Sequence, residues 1–87
     1  MQNTNDLKAR VRQMLVENLM LQIKPEEIAD DLPLFGEGLG LDSVDALQLV
    51  VALDKTFGLK IQDAEMAKGV LKNINTIVAA LEKHLNR

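Results

Sequence analysis

Both prolines and three of the five glycines lie in one stretch, residues 22–42, near the middle of the 87-residue chain. Proline and glycine both disfavour a helix interior, so no continuous helix crosses this stretch. On either side of it, apolar residues recur at helical spacing, and no segment alternates strictly between apolar and polar residues as an amphipathic strand does. The chain is therefore predicted to be all-α, with a long connection after its first helix.

Four helices follow from the pattern of apolar and capping residues. They are expected at about residues 5–21, 43–57, 63–68 and 75–84. Asn5 or Asp6 is expected to cap the first helix and Asp42 the second, while Gly58 and Gly69 end the second and third. Each helix is too short to be stable alone, so together they must form a small four-helix bundle of three longer helices and one short one.

The connection between the first two helices is expected to be ordered. One helical turn is predicted at Pro25, because proline fits the first position of a helix and the acids that follow it favour the helix dipole. The remainder carries five large apolar side chains that are expected to pack onto the bundle: Leu32, Leu34, Phe35, Leu39 and Leu41.

Composition excludes several classes of function. The chain has no cysteine and one histidine, so disulfides, thiolate metal sites, thiol nucleophiles and Ser/His/Asp catalysis are not expected. A net charge of −3 and only two aromatic residues argue against nucleic-acid binding. The chain lacks the roughly 18 consecutive apolar residues of a membrane span and the order of a signal peptide. We expect one monomeric, cytoplasmic domain over residues 1–87, with its core at about 5–86.

Acidic residues are concentrated in the middle of the chain. Residues 26–65 hold ten acids and two bases, whereas the rest holds three acids and eight bases. The ligand order of a calcium-binding loop is absent, so a solvated acidic surface is expected and no metal site. Such a surface suits basic partner proteins.

When the second helix is projected at 100° per residue, apolar residues fall on two opposite faces. One is the expected core stripe, which contains Ala46, Leu49, Val50, Leu53 and Phe57. The opposite face mixes apolar and polar residues, namely Val44, Gln48, Val51 and Lys55. Exposed single valines are common and need no special role, but the same face next to Ser43 also fits a partner-binding surface.

Ser43, at the start of this helix, has three possible interpretations. Serine is common at helix starts and can be purely structural. A catalytic nucleophile would need a nearby base and flanking glycines, which the sequence around it lacks. The third is covalent attachment of a group, because a helix N-terminus favours an anionic phosphate on the serine oxygen.

The stretch G-L-G-L-D-S-V-D-A-L-Q-L-V-V-A-L-D-K-T-F-G, residues 38–58, resembles the signature of acyl carrier proteins. The order of elements over residues 5–85 is also similar to their four-helix bundle. The resemblance implies that Ser43 is esterified by 4′-phosphopantetheine, taken from coenzyme A by a magnesium-dependent phosphopantetheinyl transferase, with Asp42 as part of the motif. It implies a carrier of acyl thioesters rather than an enzyme.

The resemblance also implies roles for other residues. The surface after the serine would contact the transferase, an acyl-activating ligase, and acyltransferases or ketosynthases. Its candidate contact residues are Val44, Asp45, Gln48, Val51 and Lys55. Plain core is the more common role for any one aliphatic residue, and the candidates for lining an acyl pocket are Leu49, Val50, Leu53, Phe57, Ile61, Met66 and Ile74.

Three features depart from the pattern of fatty-acid-synthesis carriers. Val44 replaces a more usual leucine, Gln48 and Lys55 replace common glutamates, and the loop of residues 30–40 is longer. These changes favour a specialised freestanding member, serving a polyketide, modified-lipid, surface-polysaccharide or aminoacyl-transfer system, over the housekeeping fatty-acid carrier. The broader function that the resemblance implies is delivery of acyl groups in fatty acid, polyketide or related biosynthesis. The alternatives are a peptidyl or aminoacyl carrier and an unmodified helical protein-interaction module.

Overall fold

The computed structural model describes residues 4–36 and 38–85. It contains four α-helices: α1 (Thr4–Leu19), α2 (Ser43–Phe57), α3 (Ala64–Val70) and α4 (Ile74–Leu85). A single 3-10 turn, Pro25–Glu27, lies between α1 and α2. The described ranges contain no strand, so the predicted all-α bundle is confirmed. Two predictions reach beyond the described residues. The absence of a signal peptide concerns residues 1–3 among others, and the predicted core extends to Asn86.

One apolar core joins the helices. Helix α1 packs against α4, α2 and the 3-10 turn, and α3 packs against α4. All the buried residues in the described part of the chain are apolar. The helices contribute Leu7, Val11, Met14, Leu15, Leu49, Ala52, Leu53, Ile74, Ile77, Val78 and Leu81, and the connections contribute Ile28, Leu34, Leu41, Leu59 and Leu71.

Helix α1 differs from its prediction at both ends. It begins at Thr4, so Asn5 and Asp6 lie inside its first turn, and the prediction that one of them caps it is wrong. It ends at Leu19 rather than Leu21, because Met20 adopts a left-handed backbone conformation with φ 54°. The Leu21 N–H then donates to the Val16 carbonyl at 3.1 Å, which closes the helix in the manner usually seen with a C-terminal glycine.

Helix α2 begins and ends where the sequence predicts. Asp42 accepts backbone N–H groups at its start. Gly58 has φ 74°, and its N–H bonds back to the Asp54 carbonyl at 2.8 Å. Both predicted boundaries are confirmed. They could be predicted from sequence because local capping residues set both of them.

Helix α3 is longer than predicted. Asp63 caps it by accepting the Met66 N–H at 2.8 Å, but Gly69 lies inside the helix, so the prediction that Gly69 ends it is wrong. The helix ends at Val70, and it is followed by the C-cap residue Leu71, whose N–H bonds to the Ala67 carbonyl and whose side chain is buried. Burying a leucine contributes about 1.5–3 kcal/mol, which exceeds the cost of about 1 kcal/mol for glycine in a helix.

Helix α4 extends one residue beyond its prediction at each end. A reciprocal pair of hydrogen bonds fixes its start: Asn73 N–H donates to Thr76 Oγ1 at 3.0 Å, and Thr76 N–H donates to Asn73 Oδ1 at 2.9 Å. The start of α4 is therefore held directly after α3.

The described residues of the connection between α1 and α2 pack onto the bundle, as predicted. Leu34 and Leu41 are buried, while Leu32, Phe35 and Leu39 are half-buried against the core. The Leu34 N–H donates to the Lys72 carbonyl at 2.9 Å, and the Leu41 N–H donates to the Leu34 carbonyl at 3.1 Å. The connection is thus tied to the segment between α3 and α4.

A second tie holds the beginning of the connection. The Asp30 carboxylate pairs with Lys8 at 2.8 Å and with Arg12, both on α1. The Asp30 carbonyl accepts the Asn75 N–H of α4 at 3.0 Å. Asp30 therefore joins the connection to the first and last helices at once.

Candidate functional site

The start of α2 is fixed by a reciprocal capping arrangement around Ser43. Asp42 Oδ1 accepts the Val44 N–H at 3.0 Å and the Asp45 N–H at 3.1 Å. In return, the Asp42 N–H donates to Asp45 Oδ2 at 3.1 Å. Both carboxylates therefore have local partners, and Ser43 is held as the first residue of the helix.

Ser43 is solvent-exposed and is the only serine in the sequence. The Thr76 hydroxyl is already hydrogen-bonded to the Val70 and Asn73 carbonyls. Thr56 is exposed, but it lies in the last turn of α2. Ser43 therefore combines an accessible hydroxyl with a helix N-terminus, where the backbone dipole favours a negatively charged substituent.

His84 is too far from Ser43 to act as its base. A Cβ placed on Gly58 would lie 3.8 Å from His84 Nε2, so the imidazole is at the opposite end of α2. That helix has 15 residues and hence a length of about 22 Å. The structure gives Ser43 no histidine for nucleophilic catalysis.

A groove of about 850 Å³ opens beside Ser43. We call it the Ser43 groove. Its lining comes from the connection before α2, from the first turn of α2, and from α3 with the residues that follow it. Its lining residues are Pro33, Phe35, Leu41, Asp42, Ser43, Ala46, Ala64, Ala67, Lys68, Leu71, Lys72 and Asn73.

None of the seven residues expected to line an acyl pocket lines the Ser43 groove. Three of them are fully buried in the core: Leu49, Leu53 and Ile74. Three others are half-buried against it: Val50, Phe57 and Ile61. Met66 is 37% exposed and lines a separate depression near His84. Six of the seven therefore lie in or against the apolar core, Met66 lies apart from them, and their role in lining an acyl pocket stays a prediction.

The outer face of α2 is exposed and partly apolar. Val44 is 63% exposed and Val51 44% exposed, and Gln48 and Lys55 are exposed beside them. Leu47, 65% exposed, lies at the edge of the same face and was missed by the sequence analysis. Positions 44, 47, 48 and 51 have i, i+3, i+4, i+7 spacing, which is the signal that could have identified it. Asp45, the other expected contact residue, is half-buried.

The described acidic residues do not gather into a group of three or more that could hold a metal ion. Asp30 is paired with α1, and Asp42 and Asp45 take part in the capping arrangement. In the same part of the chain, no helix has the length and apolar character needed to span a membrane.

Comparison with known proteins shows a family and relatives that this chain resembles. Residues 9–81 match the family described as "Phosphopantetheine attachment site". An acyl carrier protein from Campylobacter hominis is 36% identical over 75 residues, which are 85% of this chain and 91% of that protein. An acyl carrier protein from Akkermansia muciniphila is 32% identical over 79 residues, which are 91% of this chain and 92% of that protein.

The chain belongs to the acyl carrier protein family. Members of this family are carriers rather than enzymes, and they hold 4′-phosphopantetheine covalently. The predicted family, the non-enzymatic role and the predicted cofactor are confirmed. The matched residues include the whole of α2 and the described lining of the Ser43 groove.

Proposed function

We propose that Ser43 is the residue of this carrier to which 4′-phosphopantetheine is attached. The observation that supports it is that the only serine of the chain is exposed, begins a capped helix and lies within the family match. When bound, the group supplies a thiol that forms thioesters with acyl groups. The chain then carries these acyl groups to enzymes of fatty acid, polyketide or related biosynthesis.

The residues around Ser43 fit an anionic phosphodiester. The N-terminus of α2 stabilises a negative charge nearby by about 0.3–1 kcal/mol. Asp42 holds the first turn in place by accepting two backbone N–H groups, so the backbone of Ser43 is held at the start of the helix. The contribution of the chain is to present and orient the attachment point, not to catalyse a reaction.

The attachment site is tested by intact mass. Apo protein is incubated with coenzyme A, magnesium and a broad-specificity phosphopantetheinyl transferase, and we expect the addition of one phosphopantetheine. Ser43→Ala should abolish the addition, whereas Thr56→Ala, which removes an exposed hydroxyl at the other end of α2, should not. Failure of the wild type to be modified, or modification that survives in Ser43→Ala, would overturn the proposal.

Two alternative functions are outcomes of related measurements. A persistent unmodified mass for protein purified from its native host, while the pathway is expressed, would favour a helical interaction module. Acceptance of amino acids from activating enzymes, in preference to acyl groups, would favour a peptidyl or aminoacyl carrier.

The exposed face of α2 is the proposed docking surface for partner enzymes. Family members act with transferases and biosynthetic enzymes, and the expected partners here are a phosphopantetheinyl transferase, an acyl-activating ligase, and acyltransferases or ketosynthases. Val44, Leu47 and Val51 offer apolar contact area next to Ser43. Exposed apolar side chains grouped on one helix face are suited to burial by a partner.

The polar residues of this face indicate which kind of partner enzyme the carrier serves. Gln48 and Lys55 are exposed, so the middle and end of α2 offer less negative charge to a basic partner than a row of glutamates would. Charge complementarity sets the encounter rate and register between partners. This supports a specialised carrier whose partner enzymes are less basic at the surface that contacts α2.

A further inference from the structure

We propose that a depression at the end of α2 remote from Ser43 binds a single-chain amphipathic anion, such as a medium-chain carboxylate. We call it the His84 depression. Its volume is about 770 Å³, and it is lined by Gly58, Leu59, Lys60, Gln62, Met66, Ala80, Lys83 and His84. The inference goes beyond the attachment proposed at Ser43 and does not depend on it.

Three helices meet at the His84 depression. Gly58 follows α2 with φ 74°, and its N–H donates to the Asp54 carbonyl at 2.8 Å. The side chain of the next residue, Leu59, is buried. The last turn of α4 lies close to this point, because a Cβ placed on Gly58 would lie 3.8 Å from His84 Nε2. Met66 of α3 also lines the depression, so the site is formed by the fold and not by one local segment.

Part of the lining is apolar. Leu59 is buried, Ala80 is half-buried, and Met66 is 37% exposed. Ala80 leaves space because its side chain is a single methyl group, and methionine is flexible enough to adapt to apolar groups of different shape. The volume lies within the range of about 300–1,000 Å³ that small-molecule sites usually have. This part of the lining suits an alkyl chain.

The charged part of the lining is cationic. Lys60, Lys83 and His84 lie here, and none of the described lining residues is acidic. Lys83 forms no salt bridge within the described part of the chain, whereas Lys60 pairs with Asp54 at 3.4 Å. Both members of that pair are solvent-exposed, and exposed pairs contribute little. An added anion can therefore compete for the Lys60 ammonium group.

The helix ends at the depression limit how strongly these cations attract a bare anion. The C-terminal ends of α2 and α4 carry partial negative charge. At α2 this effect is reduced, because the N–H groups of Gly58 and Leu59 donate to the Asp54 and Leu53 carbonyls. The cations alone are therefore a weak anion site, and apolar contact has to supply the remaining affinity.

This combination favours one class of ligand. An inorganic anion would use only the cations, and a neutral alkyl compound would use only the apolar lining. A carboxylate on an alkyl chain uses both. Compounds of this class are also released from acyl thioesters, because water cleaves a thioester into a carboxylate, a thiol and a proton. The ligand class is therefore one that the cargo of a carrier can supply.

Nuclear magnetic resonance of isotope-labelled, unmodified wild-type protein tests the site. Sodium decanoate, kept below its micelle concentration, should give saturable amide shifts over residues 58–62 and 80–85. Hexanoate should bind more weakly, by up to about fourfold for each methylene removed, and acetate should give no saturable shift. Because this protein carries no arm, the result is independent of attachment at Ser43. Absence of saturable shifts with decanoate, shifts confined to the Ser43 groove, or equal binding of acetate would overturn the inference.

A matched pair of substitutions tests the shape of the site. Ala80→Leu fills the depression, and Ala79→Leu makes the same change at the neighbouring exposed alanine of α4. Ala80→Leu should weaken decanoate binding about tenfold, which corresponds to lost contact with nearly two methylenes. Ala79→Leu should bind as the wild type does, and equal dissociation constants for the two variants would overturn the inference. If Ala80→Leu does not fold, Met66→Gln at an exposed position serves in its place.

Two double variants of equal net charge test the cations. Lys60→Gln with Lys83→Gln should weaken decanoate binding about tenfold. Lys24→Gln with Lys68→Gln, at exposed lysines that do not line the depression, should leave it unchanged. Equal weakening by the two double variants would indicate a general charge effect and would overturn the inference.

Two other occupants are distinguished by the same protein samples. One is a membrane surface, tested by cosedimentation with phosphatidylglycerol vesicles. The other is an acidic protein segment, tested with a pentapeptide that has one leucine between two pairs of glutamates. Binding of the vesicles or of the peptide, without saturable binding of decanoate, would overturn the inference in favour of that occupant.

Discussion

The capping arrangement at the start of α2 allows two effects of Asp42 to be measured separately. Asp42→Ala removes the carboxylate that accepts the Val44 and Asp45 N–H groups, and with it the negative charge. Asp42→Asn keeps an oxygen acceptor at the same position but removes the charge. Comparing the two variants separates the stability of the helix start from the electrostatic attraction of a partner.

The stability effects are small enough for both variants to remain folded. Loss of an N-cap costs about 0.5–2 kcal/mol, typically about 1, and loss of the charge alone at a helix N-terminus costs about 0.3–1 kcal/mol. A domain of this size is stable by about 4–13 kcal/mol, at about 0.05–0.15 kcal/mol per residue. A loss of 1 kcal/mol should lower the melting temperature by about 4–8 °C.

The decisive measurement is kcat/KM for modification by the phosphopantetheinyl transferase, with protein as the varied substrate. If the charge of Asp42 guides docking, both variants should lose about tenfold, or about 1.4 kcal/mol, although only the alanine loses its cap. A wild-type rate for Asp42→Asn would refute the electrostatic argument. A large loss of stability in Asp42→Ala with normal modification would refute the reasoning as a whole.

Three further predictions concern the docking face, the core and the glycines. Leu47→Asp should lower kcat/KM for modification by about tenfold without changing the melting curve. The control Leu85→Asp, at a 45% exposed leucine on α4, should leave kcat/KM unchanged; equal kcat/KM values for the two variants would contradict the docking face. Leu53→Ala should cost about 2–5 kcal/mol in urea unfolding because the side chain is fully buried, and an unchanged unfolding midpoint would contradict the core assignment. Gly38→Ala should destabilise by about 1–3 kcal/mol, because its Cβ would clash with the Pro33 carbonyl oxygen. Gly69→Ala, with no atom within 4 Å of its Cβ, should stabilise by about 0.4–1 kcal/mol; a more stable Gly38→Ala than Gly69→Ala in urea unfolding would contradict this prediction.

The helix boundaries that the sequence predicts correctly are those set by local chemistry. Asp42 and Gly58 delimit α2 through contacts within a few residues. The boundaries it misses depend on the rest of the fold or on an unusual backbone. Leu71 carries α3 past Gly69 because its side chain is buried, and Met20 ends α1 in a conformation that methionine seldom adopts.

The candidate site divides in the same way. Ser43 and Asp42 are identifiable from sequence because their position at a helix start is a local feature. The Ser43 groove cannot be identified from sequence in this way. A search for hydrophobic residues finds large side chains, and these fill the core. The groove is made where side chains are small, as at Ala64 and Ala67, and where Pro33 is brought next to them by the fold.

The hydrogen bonds that hold the long connection affect when the site around Ser43 forms during synthesis of the chain. Leu34 bonds to Lys72, and Asp30 bonds to Asn75, so the connection cannot take its native path before residues 72–75 are present. A chain is synthesised from its N-terminus, and Ser43 leaves the ribosome well before those residues do. A transferase that recognises the folded surroundings of Ser43, and not only the sequence Asp-Ser-Val-Asp, is therefore expected to leave nascent chains unmodified until residues 72–75 have also left the ribosome.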